Sequence, residues 1–214
     1  MSLWFGRTTA YQRRTARPVA VLVSVLAVLA IVTWSVVLLN TSDSPTGSVC
    51  PPTTRATGLT PVDRGDLMAT APVSPGTVRI RVFNGSGQRG QANLVASQLG
   101  ELGFTEVGEP GNDPLYPDND LACRGNIRFG AGGLAAARTV GLVLPCIPLV
   151  RDRRTDDSVD VAVGTLFGEV NPSKAARDSL EQLAGPAGQG EDGADQAPAS
   201  ADPELLAKAD EGTC

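Results

Sequence analysis

Residues 77–104, TVRIRVFNGSGQRGQANLVASQLGELGF, decide how the folded part of this 214-residue chain is built. The first eight positions alternate: Val78, Ile80 and Val82 share one side, and Arg79, Arg81 and Phe83 share the other. A period of two is the mark of a half-buried strand. Residues 91–102 then place Ala92, Val95, Ala96, Leu99 and Leu102 on one helical stripe, and Gly103-Phe104 reads as a glycine stop with an apolar follower. Between them lies Asn84-Gly85-Ser86-Gly87 through Gly90, a tight strand-to-helix turn.

The same alternation and periodicity recur downstream. A short strand is expected at FTEV (104–107), and EPGNDPLYPDND (109–120) is a loop by its turn residues. NIRFG (126–130) is a strand with Ile127 and Phe129 inward and Arg128 outward. GGLAAARTVGLVL (132–144) is a helix that Pro145 must stop. IPLVRD (147–152) and VDVAVGTLF (159–167) are two further strands, and NPSKAARDSLEQL (171–183) is a helix with Asn171 as cap. Leu205-Leu206 suggests a short terminal helix. The order β-α-β-β-α-β-β-α predicts an α+β fold: one small two-layer sandwich, with helices on one sheet face and Arg79, Arg81 and Arg128 on an open opposite face.

Upstream, Pro18 to Leu39 is an uncharged run of 22 residues, about 33 Å as a helix and long enough for a bilayer core of about 30 Å. Arg7, Arg13, Arg14 and Arg17 precede it with no acidic residue. That asymmetry predicts a single-pass anchor in the cell membrane, with the N-terminus cytoplasmic and the rest extracytoplasmic. A cleaved signal peptide would have a shorter apolar core and a small-residue cleavage site, and neither is present. Cys50 follows Val49, so it does not read as a lipoprotein cysteine. The expected organisation is a basic flank (1–17), a membrane helix (18–39), a Pro/Thr-rich stalk (40–76), a folded domain with its C-terminal helix (77–184) and an acidic flexible tail (185–214) ending in Cys214.

Composition removes whole mechanisms. There is no histidine, so no Ser-His-Asp triad, Cys-His dyad, His-ligated zinc or imidazole shuttle exists. The net charge of −5 is concentrated in the tail, where seven acidic residues stand against one basic. The acidic total argues against nucleic-acid partners. The four cysteines, placed outside the membrane, read as two disulfides with three connectivities open. Cys123 precedes a strand and Cys146 follows the helix returning antiparallel to it. That makes Cys123–Cys146 the local pairing and leaves Cys50–Cys214. The spacings fit no metal site.

GSGQRG (85–90) matches G-x-G-x-x-G with Glu106 about twenty residues on. The domain is too short for a two-half nucleotide crevice, so the motif reads as a structural turn at Asn84, Gly85, Ser86, Gly87 and Gly90. Anion capture beside Arg89 is the residual use. Asp152, Asp156, Asp157 and Asp160 lie near Arg151, Arg153 and Arg154 and read as a solvated charged turn. Arg79, Arg81 and Arg128, with Arg89, are the candidate contacts for an anionic ligand or an acidic partner surface.

The run from Val78 to Phe104, with its N-G-S-G-x-x-G-x-A-x-x-V-A-x-x-L-x-x-x-G-F core, resembles the LytR C-terminal domain. The likeness continues at NIRFG (126–130) and DDSVDVAVGTLF (156–167), covering roughly 77–168. That domain often follows the catalytic domain of envelope polymer ligases, which this chain lacks. The whole layout is similar to a narrower actinobacterial group: basic N-terminus, anchor, CPP stalk (50–52), LACRGNIRFG (121–130), Pro145-Cys146 and a terminal D-P-E-L-L-A-K…C. The resemblance implies an anchored, extracytoplasmic, non-enzymatic adaptor for cell envelope integrity, without catalytic residues or cofactors. Its expected partners are a cell-wall polymer or envelope-assembly proteins. The alternative is an envelope-polymer-modifying enzyme, or a nucleotide binder through Gly85–Gly90.

Overall fold

The computed structural model describes residues 10–41, 50, 58–185 and 200–211. The chain divides into two compact units, Met1–Pro45 and Thr46–Cys214. Cys214, most of residues 42–57, and 186–199 of the expected tail lie outside the described residues.

The first unit is built on one helix, α1 (Ala10–Thr41, 32 residues). Its side chains are described from 19 to 35, and all of them are exposed, from Val19 to Trp34. Among the described residues no helix is long and apolar enough to cross a membrane.

The second unit is a mixed six-stranded sheet with helices packed on it. The strands are β1 (Thr60–Val62), β2 (Ile80–Asn84), β3 (Gly111–Asn112), β4 (Gly125–Phe129), β5 (Leu149–Arg151) and β6 (Val159–Val163), in the order β1-β5-β4-β6-β2-β3. β2 runs parallel to β6 and β3, and β4 runs parallel to β5. The β4–β6 and β1–β5 pairs are antiparallel. The helices are α2 (Arg64–Met68), α3 (Gln91–Glu101), α4 (Leu134–Val143), α5 (Lys174–Ala184) and α6 (Pro203–Asp210). The mixed sheet with packed helices is an α+β arrangement.

The core explains these elements. Ile80 and Val82 of β2, Ile127 and Phe129 of β4, and Val159, Val161 and Val163 of β6 point to one sheet face. There they meet Ala92, Val95 and Leu99 of α3, Ala137, Val140 and Val143 of α4, and Leu180 of α5. α4 is buried almost all round, from Ala136 to Val143, because the sheet lies on one side and α2 and α5 on others. α5 starts at Ser173, whose hydroxyl accepts from the Ala176 N–H at 3.1 Å. Its cap is thus two residues beyond the expected Asn171, at the first side chain able to reach that amide.

Four expectations are revised. FTEV (104–107) makes only a single bridge, Ile80 to Val107. The 109–120 loop supplies β3 and Asp113, Leu115 and Tyr116, and with Leu121 and Cys123 just beyond it these cover the second sheet face. That face is therefore closed around Arg128, and every residue of β4 and β6 is buried. β1 and α2 fall inside the stretch read as stalk, with Leu67 of α2 fully buried in the core. α6 falls inside the stretch read as flexible tail and packs on α5.

Candidate functional site

The strand-to-helix turn is tied by its own side chains. The Asn84 carboxamide oxygen accepts from the Ser86 N–H at 3.0 Å and its hydroxyl at 2.9 Å, while its NH2 donates to the Gln88 carbonyl at 2.8 Å. The Gln88 N–H donates to the Ser86 oxygen at 3.1 Å. Gly87 and Gly90 have φ of +75° and +78°, where a side chain would strain the backbone. Gly85 lies against Leu121 so closely that a Cβ would sit 2.9 Å from it. The turn thus spends its amides and glycines on joining β2 to α3, and Arg89 stands exposed beside it.

The predicted arginines do not share one open face. Arg79 is exposed and pairs with exposed Asp157, and hydrogen bonding to that carboxylate raises the Arg79 pKa. Arg128 is buried, donates through two nitrogens to both oxygens of buried Asp113, and gives its Nε–H to Asn126 at 2.6 Å. Arg81 is half exposed. Its Nε–H donates to Asp160 at 2.8 Å, and its guanidinium lies 5.8 Å from the Phe83 ring centre.

Asp160 gives its second oxygen to Arg154 at 2.5 Å, and Arg154 also holds Asp152 at 2.6 Å. The Asp160 hydrogen bond, followed by that of Asp152, pushes the Arg154 pKa up. The acidic run read as a solvated turn is therefore divided. Asp156 and Asp157 are exposed, while Asp152 and Asp160 are drawn into an arginine network.

These side chains line a cleft of about 360 Å³ between Leu59, Phe83, Leu115, Arg128, Arg153 and Asp160. Sequence reading missed Arg153 and Arg154 as its members, and Asp113 behind it. The available signal was Asp152-x-Arg154, an Asx-type turn in which the Arg154 N–H donates to Asp152 at 3.0 Å.

The disulfide expectation is corrected as well. Cys50 bonds Cys123, with Cα atoms 5.0 Å apart, so neither Cys123–Cys146 nor Cys50–Cys214 forms. Chain ends that return to one edge of the domain can still lie on opposite faces of the sheet. Cys123 packs with Tyr116, Leu121 and Ala162 on the covered face, whereas Leu144 and Ile147 beside Cys146 belong to the helix-side core. Cys146 is itself disulfide-bonded, and Cys214, the cysteine remaining in the sequence, lies outside the described residues.

A second hollow of about 810 Å³ lies between residues 68–77 and α6. The Thr139 hydroxyl pins one wall, donating to the Val73 carbonyl at 2.8 Å and accepting from its N–H at 2.9 Å. At its edge Arg138 and Asp210 form a bidentate pair at 2.7 Å on each prong.

Residues 77–167 match the family described as LytR_C, LytR cell envelope-related transcriptional attenuator. The chain is 36% identical over 210 residues to the cell envelope integrity protein Cei of Mycobacterium tuberculosis, covering 95% of this chain and 92% of that protein. Among solved structures, it resembles the soluble domain of a conserved hypothetical secreted protein from Mycobacterium marinum. That likeness has a TM-score of 0.63 at 39% sequence identity and covers 74% of this chain and 99% of the other. With likeness in both sequence and fold running well beyond the matched domain, the chain belongs to the family of the cell envelope integrity protein Cei, built on a LytR_C domain.

Proposed function

We propose that this chain is a single-pass membrane protein that holds its folded unit outside the cytoplasm as a non-catalytic binding module supporting envelope integrity. The observation that carries this reading is the extent of the likeness to the M. tuberculosis protein, which takes in the N-terminal segment as well as the domain. The anchor is supported by the uncharged run from Pro18 to Leu39 and the arginines that precede it. An adaptor role is supported by how the ionisable groups are used. Asp113, Asp160 and Asp210 each neutralise arginine, and the chain has no histidine. Anchoring raises the effective concentration of such a module at the membrane surface.

The test is rescue of detergent sensitivity in cells lacking this protein. Full-length protein should restore resistance, and a version secreted without residues 1–41 should not. Equal rescue by both would remove the anchor, and no rescue by either would remove the envelope role.

A further inference from the structure

We propose that the cleft around Arg81 and Arg153 binds an acidic sugar unit, a pyranose bearing a carboxylate or a phosphate. The proposal rests on the envelope-binding reading above and names the ligand class of its site.

The charge of the cleft favours an anion. The cleft and the carboxylate behind it hold four guanidinium groups, Arg81, Arg128, Arg153 and Arg154, against three carboxylates, Asp113, Asp152 and Asp160. The pairing is specific. Arg128 is consumed by Asp113, Arg154 by Asp152 and Asp160, and Arg81 spends only its Nε–H on Asp160. Arg153 lines the cleft, is exposed, and has no hydrogen bond or ion pair among the described residues. One positive charge is left over, carried on groups that face the opening. The carboxylates behind Arg81 hold its guanidinium in place, so less ordering entropy is lost when an anion is gripped.

Shape and chemistry select a sugar over other anions. The cleft is concave and about 360 Å³, the scale of a small-ligand site. A flat protein partner would need on the order of 800 Å² from each side. Phe83, Leu59 and Leu115 offer an apolar platform for the C–H face of a ring. The partly exposed Asp152 carboxylate offers an acceptor for hydroxyls, and the guanidinium groups are donors for the acid. The cleft draws on several separate segments, with Gly58-Leu59 brought in by the adjoining β1, which pairs with β5. It is therefore a product of the complete fold.

Affinity electrophoresis of the full chain in detergent micelles tests this, through gels containing polygalacturonate, phosphorylated dextran, polyglutamate or neutral dextran. One or both charged saccharide-type polymers should retard the protein, and polyglutamate and dextran should not. Whichever of the two retards it more identifies the acid as carboxylate or phosphate. Arg153→Ser should weaken that retardation about tenfold, with Arg89→Ser unchanged and the unfolding midpoint of both variants unaltered.

The site is overturned if neither charged saccharide-type polymer retards the chain, or if dextran or polyglutamate does so equally. It is also overturned if Arg153→Ser stays within twofold of the parent. Rescue of detergent resistance is read separately. A chain that rescues cells but ignores these polymers removes the site and leaves the function standing.

Discussion

Arg128 and Asp113 meet as a two-pronged ion pair sealed between the sheet and the loop that covers it, with side chains 3% and 0% exposed. The Arg128 guanidinium also lies 5.6 Å from the centre of the Tyr116 ring. An arginine on a strand is thus turned from a solvent group into the fastening of a loop. Its charge holds the floor of the cleft in place while Arg81 and Arg153 remain at the opening.

Breaking this pair from one side leaves a buried charge. Asp113→Asn should therefore destabilise the protein by about 3–5 kcal/mol. The double replacement Arg128→Met with Asp113→Leu should cost much less, since it removes both desolvated charges together. Urea denaturation followed by far-UV circular dichroism measures both. Equal losses in the single and double variants would mean that the pair contributes shape and not charge.

The disulfide gives a direct chemical prediction. A non-reducing digest should contain Cys50 linked to Cys123 and no peptide linking Cys123 to Cys146. A second linked peptide should join Cys146 to Cys214, the remaining cysteine. Replacing Cys50 and Cys123 by Ser releases a loop with a sequence separation of 73. In the chain-entropy account this costs about 4 kcal/mol. A linked Cys123–Cys146 peptide in the digest would overturn the assignment.

What was legible in the sequence follows the range of the interactions. β2, the glycine turn and α3 are written in contiguous periodicity, so residues 77–104 are read closely, except that the strand begins at Ile80 and Thr77 closes a short 3-10 turn. The covered face is not local. Whether Arg128 meets water depends on Asp113, in a loop with ordinary turn composition. β1 was hidden because Thr60-Pro61-Val62 is short and contains proline, which an edge strand tolerates. Of the candidate contacts, Arg81 was read from its alternation. Arg153 had no such signal, because it becomes a cleft residue only through the Asp152–Arg154 turn and the approach of Gly58.

Asp156 supplies a pH prediction. The Ser158 hydroxyl and then its N–H donate to this carboxylate and lower its pKa. A depressed folded value means that the interaction is complete above the unfolded value of about 3.9. It is lost as pH falls through the lower folded value. NMR titration of the aspartate carboxyl carbons should place Asp156 below the usual aspartate range, and Ser158→Ala should bring it back up. An unchanged Asp156 midpoint in Ser158→Ala would show that these hydrogen bonds do not form in solution.

The Arg138–Asp210 pair ties α6, in the stretch read as tail, to α4 in the core. Its side chains are 3% and 10% exposed. Among the described residues Arg138 Nε has no hydrogen-bond partner, and Asp210 is what compensates its buried charge. Ala201 and Ala209 add apolar contact with Leu142 and Leu183. Asp210→Asn should cost about 3–5 kcal/mol, a fall in melting temperature of about 10 °C for a domain of this size. Asp202→Ala removes only the cap that accepts from the Glu204 N–H at 2.8 Å. It should cost about 1 kcal/mol, or about 3 °C. Glu211→Gln, at the exposed end of the same helix, is the control and should not move the transition. If Asp210→Asn melts no lower than Asp202→Ala, α6 is held by its apolar contacts, and the buried guanidinium finds its compensation elsewhere.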